Sequence, residues 1–234
     1  MEDIVLISLI LILIVVIPII KFILSYKTYK NSNYYNTTHN SYWSVFGDSG
    51  RYGEYRLYQY LQDFESIGCR FLFNLYVPRD NGKTSEIDVI MFHPKGLFVI
   101  ESKNYSGWIF GHESNKQWTQ TLPTGYGECH KERFYNPIMQ NATHIRAIRK
   151  HIDDTIPIYS VIAFSDKCTL KDVTIKSNAI VTYYSNLFRD INCRLSKTNN
   201  YSMTIELLNE TYNKLSQYAN ADEYTKFQHI HNNR

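Results

Sequence analysis

Ser85-Glu86-Ile87-Asp88-Val89-Ile90-Met91-Phe92-His93-Pro94-Lys95-Gly96-Leu97-Phe98-Val99-Ile100-Glu101-Ser102-Lys103-Asn104-Tyr105 is the stretch whose reading decides the fold of this chain. Two apolar, β-branched runs, Ile87–Phe92 and Leu97–Ile100, flank a short spacer that holds Pro94 and Gly96. That pattern predicts a β-hairpin with a four-residue loop. The register follows by counting: Phe92 opposes Leu97, Ile90 opposes Val99, and Asp88 opposes Glu101. Side chains alternate along a strand, so Asp88, Ile90, Phe92, Leu97, Val99, Glu101 and Lys103 are expected on one face. That face is a core surface with two carboxylates opposite each other at its far end and a lysine two residues on.

Like charges facing each other on a sheet repel, and half-burying both is costly without a positive partner between them. A divalent cation meets that need. Carboxylate oxygens suit Mg²⁺ or Mn²⁺, and Mg²⁺ retains waters that a substrate phosphate can replace. Asp88 and Glu101 are therefore the candidate metal ligands, and Lys103 a group that positions water or stabilises charge on phosphate. The competing reading makes both acids solvated strand ends, with Glu101 paired to Lys103. Glu86 is expected across from Lys103 as a cross-strand ion pair.

Four elements in order resemble the NERD (nuclease-related) domain family, assigned to the restriction-endonuclease-like PD-(D/E)XK superfamily. They are Gly53-Glu54, Glu86-Ile87-Asp88-Val89-Ile90, Gly96 to Gly107, and Asn136-Pro137-Ile138-Met139-Gln140-Asn141. The resemblance spans roughly residues 50–165. Ile87 stands where the superfamily signature has Pro, which removes no ligand. The resemblance implies an α/β fold with a restriction-endonuclease-like mixed sheet flanked by helices. It also implies nuclease-like activity on DNA or RNA, Glu54 beside the metal site, and Gln140 reaching it. The catalytic set is then Glu54, Asp88, Glu101, Lys103 and Gln140.

Outside that core, Ile4–Ile20 carries no charge and Ile4–Leu24 is apolar but for Ser8, Pro18 and Lys21. As a helix it rises roughly 30 Å, enough to cross a bilayer core. A cleaved signal peptide competes, but it expects a basic start and an Ala-x-Ala-like site, whereas the sequence reads Met1-Glu2-Asp3 and has no such site. Residues 1–25 are thus expected to be an uncleaved transmembrane anchor. Lys21, Lys27 and Lys30 place the remainder in the cytoplasm by the positive-inside rule. Residues 26–49, rich in Tyr, Asn, Ser and Thr without a period, are expected to be a tether of low order.

Gly50–Ser66 reads as a helix burying Leu57, Tyr58, Leu61 and Phe64, with Glu54 at the head of that face. Cys69–Pro78 reads as a strand with Phe71, Phe73 and Leu75 on one side. Strands are expected near Trp108 and Trp118, then a loop over Leu122–Lys131. Asn136–Ile152 reads as a helix that carries Gln140 and His144 on one side, with Pro137 in its first turn. Ile158–Phe164 is a buried strand after a crossover, which fits an α/β sandwich. Residues 166–218 are expected to extend the same domain, with a strand at Ala179–Tyr183 and helices at Tyr184–Asn192 and Met203–Tyr218. Residues 219–234 are expected to fray.

Composition narrows the function classes. A net charge of +3 does not by itself indicate a nucleic-acid binder. Cys69, Cys129, Cys168 and Cys193 form no Cys-x-x-Cys pair, which argues against a zinc or redox motif. There is no Gly-rich phosphate loop and no internal repeat. The expected function is a membrane-anchored, Mg²⁺- or Mn²⁺-dependent nuclease. The alternatives are a non-catalytic nucleic-acid-binding or regulatory module at the membrane, or a structural domain with an accidental acidic cluster.

Overall fold

The computed structural model describes residues 2–125, 127–198, 201–219, 221 and 223–232. The chain opens with a continuous helical rod made of α1 (Glu2–Leu11), a π-helical stretch (Ile12–Val16) and α2 (Ile17–Lys30). Leu6–Lys30 is long and apolar enough to cross a membrane, and none of its apolar window is buried in the protein. Burial begins abruptly at Tyr29, which has no exposed surface.

The segment expected to be a loose tether is ordered. Ser32 caps α3 (Asn33–Thr38) by accepting a hydrogen bond from the Tyr35 amide, and Ser41 caps α4 (Tyr42–Phe46) in the same way through Ser44. Tyr34, Tyr42 and Val45 are buried beside Tyr29. The rings of Tyr29, Tyr34 and Tyr42 meet Phe46 or Tyr55 at centroid distances of 4.1–6.1 Å, as in the Tyr29–Tyr55 edge contact at 5.1 Å and the Tyr42–Phe46 stack at 4.1 Å. Composition misled here because Tyr counts as polar in a disorder argument. Its ring nevertheless buries a large apolar area once other rings surround it.

The first sheet has the order β1 (Arg70–Pro78), β2 (Thr84–His93), β3 (Gly96–Lys103), β7 (Ile158–Phe164) and β9 (Ile180–Tyr183). β1, β2 and β3 are antiparallel, whereas β7 and β9 join in parallel. One face packs on α5 (Ser49–Leu61), α7 (Leu187–Leu195) and the juxtamembrane aromatics. The other packs on α6 (Pro137–Arg149) and α8 (Ile205–Ser216) through Ala147, Ile148, Leu208 and Leu215. A second sheet has the order β6 (Glu128–Tyr135), β5 (Gln117–Gly125), β4 (Gly107–His112) and β8 (Cys168–Thr174), and it encloses Trp118 and Ile109 with Phe164. The protein is thus α/β, with two mixed sheets flanked by helices.

The hairpin register holds: Phe92 pairs with Leu97 and Ile90 with Val99. His93 pairs with Gly96, so the loop is two residues rather than four. Gly96 has φ 131°, and a Cβ there would lie 2.5 Å from the Pro157 carbonyl oxygen, so only glycine fits.

Several expectations need correction. The β2–β3 ladder ends at Val89–Ile100, so neither Asp88 with Glu101 nor Glu86 with Lys103 is a ladder pair; Glu86 accepts from the Tyr76 hydroxyl at 2.6 Å instead. Phe71 and Phe73 lie in one core and Leu75 in the other. The faces exchange at Asn74, a non-glycine residue with φ 53°, and opposite it Ile87 and Val89 also part company between the two cores. Part of the loop expected over Leu122–Lys131 is instead the end of β5 and the start of β6. β8 was not anticipated, and Glu223–Asn232, expected to fray, forms α9. Asn220, Asp222, Asn233 and Arg234 of that expected tail lie outside the described residues.

Candidate active site at the open end of the hairpin

Where β2 and β3 stop pairing, their side chains turn into a cleft of about 710 Å³. Glu54, Asp88, Glu101, Lys103 and Gln140 all line it, so the structure brings the five sequence-derived candidates together. The volume suits a small ligand or a few groups of a larger one.

Each carboxylate reaches the cleft by a different route. Asp88 follows the last ladder pair, and its Oδ2 accepts a hydrogen bond from the Ser102 amide at 2.7 Å. The side chain thereby satisfies backbone that the splayed strands leave open. Glu101 is only 2 % exposed. Its Oε1 accepts from Lys103 Nζ at 2.7 Å, and its Oε2 lies 3.1 Å from His144 Nε2. Lys103 also donates to Gln140 Oε1 at 3.2 Å. Gln140 arrives on the inner side of α6, which Asn136 caps by accepting from the Ile138 amide. Buried Asn141 then ties α6 to the sheet by donating to the Val99 carbonyl at 2.9 Å.

Glu54 comes from the opposite wall. Asp48 caps α5 through the Arg51 amide at 2.8 Å. A Cβ on Gly53 would meet Asn104 Cβ at 2.7 Å, so this glycine lets the helix press against the end of β3. Glu54, 8 % exposed, accepts from Asn74 Nδ2 at 2.7 Å and from the Tyr34 hydroxyl at 3.3 Å. Asn74, whose left-handed backbone exchanges the faces of β1, therefore also holds a site carboxylate.

The electrostatics are those of carboxyl groups crowded together out of water. Burial, then the charges of Glu101 and Glu54, push Asp88 well above the usual carboxylate range. Burial raises Glu54 to about 8, with Glu86 adding to it against the donors Asn74 and Tyr34. Burial also acts to raise Glu101, but Lys103 and His144 outweigh it and hold Glu101 below its ordinary value. Burial alone would lower Lys103; the charges of Glu101 and Asp88 outweigh that and raise it. Lys103 thus stays an ammonium, paired with the ionised Glu101 and close to the carboxyl groups of Asp88 and Glu54.

Two contributors were underweighted by the sequence reading. His144, which the sequence placed only on the same side of its helix as Gln140, is buried and bridges Glu101 to Ser85 Oγ, which lies 2.8 Å from its Nδ1. The signal was its four-residue step from Gln140. Tyr34 carried no signal, because its link to Glu54 crosses 20 residues and two helices.

The chain is thus an α/β domain whose sheet opens into a cleft lined by carboxylates, a lysine and a glutamine. The nuclease-related domain family model matches residues 49–165, half of the chain, and the chain belongs to that NERD family. An uncharacterized protein of Bacillus anthracis is 41 % identical over 117 residues, 50 % of this chain and 53 % of that protein. The chain spans about half the length of that curated relative. No solved structure gives a significant match. Tyr29, Tyr34 and the helices that carry them lie outside the matched region.

Proposed function

We propose that this protein is a membrane-anchored, metal-dependent nuclease that hydrolyses phosphodiester bonds of DNA or RNA. The observation that carries the reading is the convergence of Asp88, Glu101 and Lys103 at one cleft in a chain of the nuclease-related family.

The donor set fits a hard divalent cation. Asp88 is raised first by burial and then by the charges of Glu101 and Glu54, and a cation held by Asp88 and Glu101 would favour its ionised form. Among the described residues no group of three or more His, Cys, Asp or Glu is arranged to hold a metal, so Asp88 and Glu101 would hold the ion together with water and substrate oxygens. When bound, Mg²⁺ or Mn²⁺ offsets phosphate charge and acidifies a coordinated water.

The chain's own groups have separate tasks. Lys103, kept charged by Glu101, stabilises negative charge that develops on the phosphate oxygens. Gln140 fixes the direction of that ammonium through its 3.2 Å contact. Glu54, titrating near 8, exchanges a proton with the attacking water or the leaving oxygen. Water adds to phosphorus, the P–O ester bond breaks, and the products are a phosphate monoester and an alcohol.

The apolar helix Leu6–Lys30 anchors the protein, and Lys21, Lys27 and Lys30 put the domain on the cytoplasmic side. The test is cleavage of single- and double-stranded DNA and RNA by full-length protein in vesicles with Mg²⁺ or Mn²⁺. Wild type is expected to cleave at least one substrate and Asp88→Ala none. Metal-independent binding that survives Glu101→Ala, without cleavage, supports the non-catalytic module instead.

A further inference from the structure

The edge between lipid-facing and protein-facing surface is sharp on the N-terminal rod. Ile19, Ile20, Phe22, Ile23 and Leu24 are exposed, and five residues later Tyr29 is completely buried. α4 folds back against this edge. It buries Tyr42 and Val45 inward, and Tyr42 meets Phe22 edge-on at 5.6 Å and Tyr26 at 5.4 Å. Its hydroxyl lies 3.0 Å from Ser25 Oγ.

Trp43 points the other way. It is 69 % exposed, yet its ring stacks on Phe22 at 5.5 Å with an interplanar angle of 20°. A large aromatic is thus left open to the surroundings, at the level of a residue inside the apolar stretch rather than beyond it. Exposed Lys21 and Lys27 flank the same level. Tryptophan with lysines at the end of an apolar span is the composition that sits at a bilayer interface, where the ring rests among headgroups and the ammonium groups reach anionic lipid.

We propose that Trp43 on α4 is a second membrane contact, docked in the headgroup region of a phospholipid bilayer beside the Phe22 level of the span. It rests on the reading of Leu6–Lys30 as membrane-spanning and goes beyond it, because it fixes the domain's orientation rather than its attachment. The consequence reaches the site. Ser44, next to Trp43, accepts from Arg51 Nη1 at 2.6 Å, and Arg51 lines the cleft together with Thr38, His39 and Asn40. The docked helix therefore holds that wall of the cleft against the bilayer, and the domain does not swing on a tether.

The experiment is tryptophan fluorescence of the full chain in vesicles of phosphatidylcholine and phosphatidylglycerol. The acyl chains are brominated either near the headgroup or near the bilayer centre. Wild type is compared with Trp43→Phe, so the difference spectrum is that of Trp43 and leaves out Trp108 and Trp118. The expected result is a blue-shifted difference spectrum, quenched more strongly by shallow than by deep bromines, with the protein resisting alkaline extraction. Equal quenching of both proteins while extraction resistance persists overturns the docking and leaves the anchor reading intact. Release of wild type by alkali overturns the anchor reading and the docking with it. Protection of Trp43 from aqueous iodide without quenching by either lipid assigns its cover to a second copy of the chain and also overturns the docking.

Discussion

The two walls of the cleft have different origins. The sheet wall, with Asp88, Glu101 and Lys103, is built within one hairpin of the family domain. The opposite wall carries Glu54, which is held in part by Tyr34 from an aromatic cluster that precedes the family domain and continues from the apolar helix. The first wall is set by local pairing and the second by long-range burial. The setting of Glu54 therefore depends on residues that a domain cut at residue 49 would discard.

The largest effect expected from breaking that comparison is on the second wall. Tyr29→Ala removes a fully buried ring from the junction of the apolar helix and the domain, at a cost of about 3–5 kcal/mol. Thermal unfolding of the detergent-solubilised full chain reads it. An unchanged midpoint would mean that residues 26–49 are a tether after all.

On the first wall, Glu101→Gln keeps the shape but removes the charge that faces Lys103 and would face the proposed cation. Cleavage is expected to fall on the order of 10²–10³-fold, with folding intact by circular dichroism. Retained cleavage would place the chemistry elsewhere.

Glu54→Gln tests the cost of the second wall's carboxylate. Its folded value of about 8 lies above its ordinary 4.5, so the folded state holds the proton more tightly. Glu54 therefore weakens the fold progressively as pH rises from about 4.5 to 8. In metal-free buffer Glu54→Gln is expected to be more stable than wild type by a few kcal/mol at most, with the advantage present at pH 8 and absent at pH 4. A difference that does not vary with pH sinks the assignment.

Tyr34→Phe is the smallest change and the most direct probe of the link between the walls. It deletes one of two donors to Glu54 and keeps the buried ring. The cost is about 1 kcal/mol in stability. The activity profile, where Glu54 titration limits it, is expected to move to higher pH, because a donor that favours the carboxylate is gone. An unmoved profile would confine Tyr34 to packing.

Legibility in the sequence follows the same divide. Counting along the hairpin brought Asp88 and Glu101 to the same end of it, although the ladder stops at Val89–Ile100, one pair short of joining them, and Lys103 followed by alternation. Glu54 and Gln140 came from helical phase together with a family resemblance. Ile158–Phe164 was found to the residue because a buried parallel strand is an unbroken apolar run. β8 was missed because Cys168–Thr174 alternates polar residues on an exposed surface and gives no such run. The pairings of Asp88 with Glu101 and of Glu86 with Lys103 failed for a different reason: the register was carried past the point where the strands separate.

What the sequence alone determined is the set of features fixed by short-range periodicity. These are a lipid-length apolar helix, one hairpin register, and the helix faces that present Glu54 and Gln140. What only the tertiary structure decided is which groups satisfy those residues: His144 on Glu101, Asn74 and Tyr34 on Glu54, and Tyr29 in the core. Those contacts have no period, because burial joins rings and donors from whichever segments the fold brings together, and that choice is made by the packed whole rather than by neighbours in the chain.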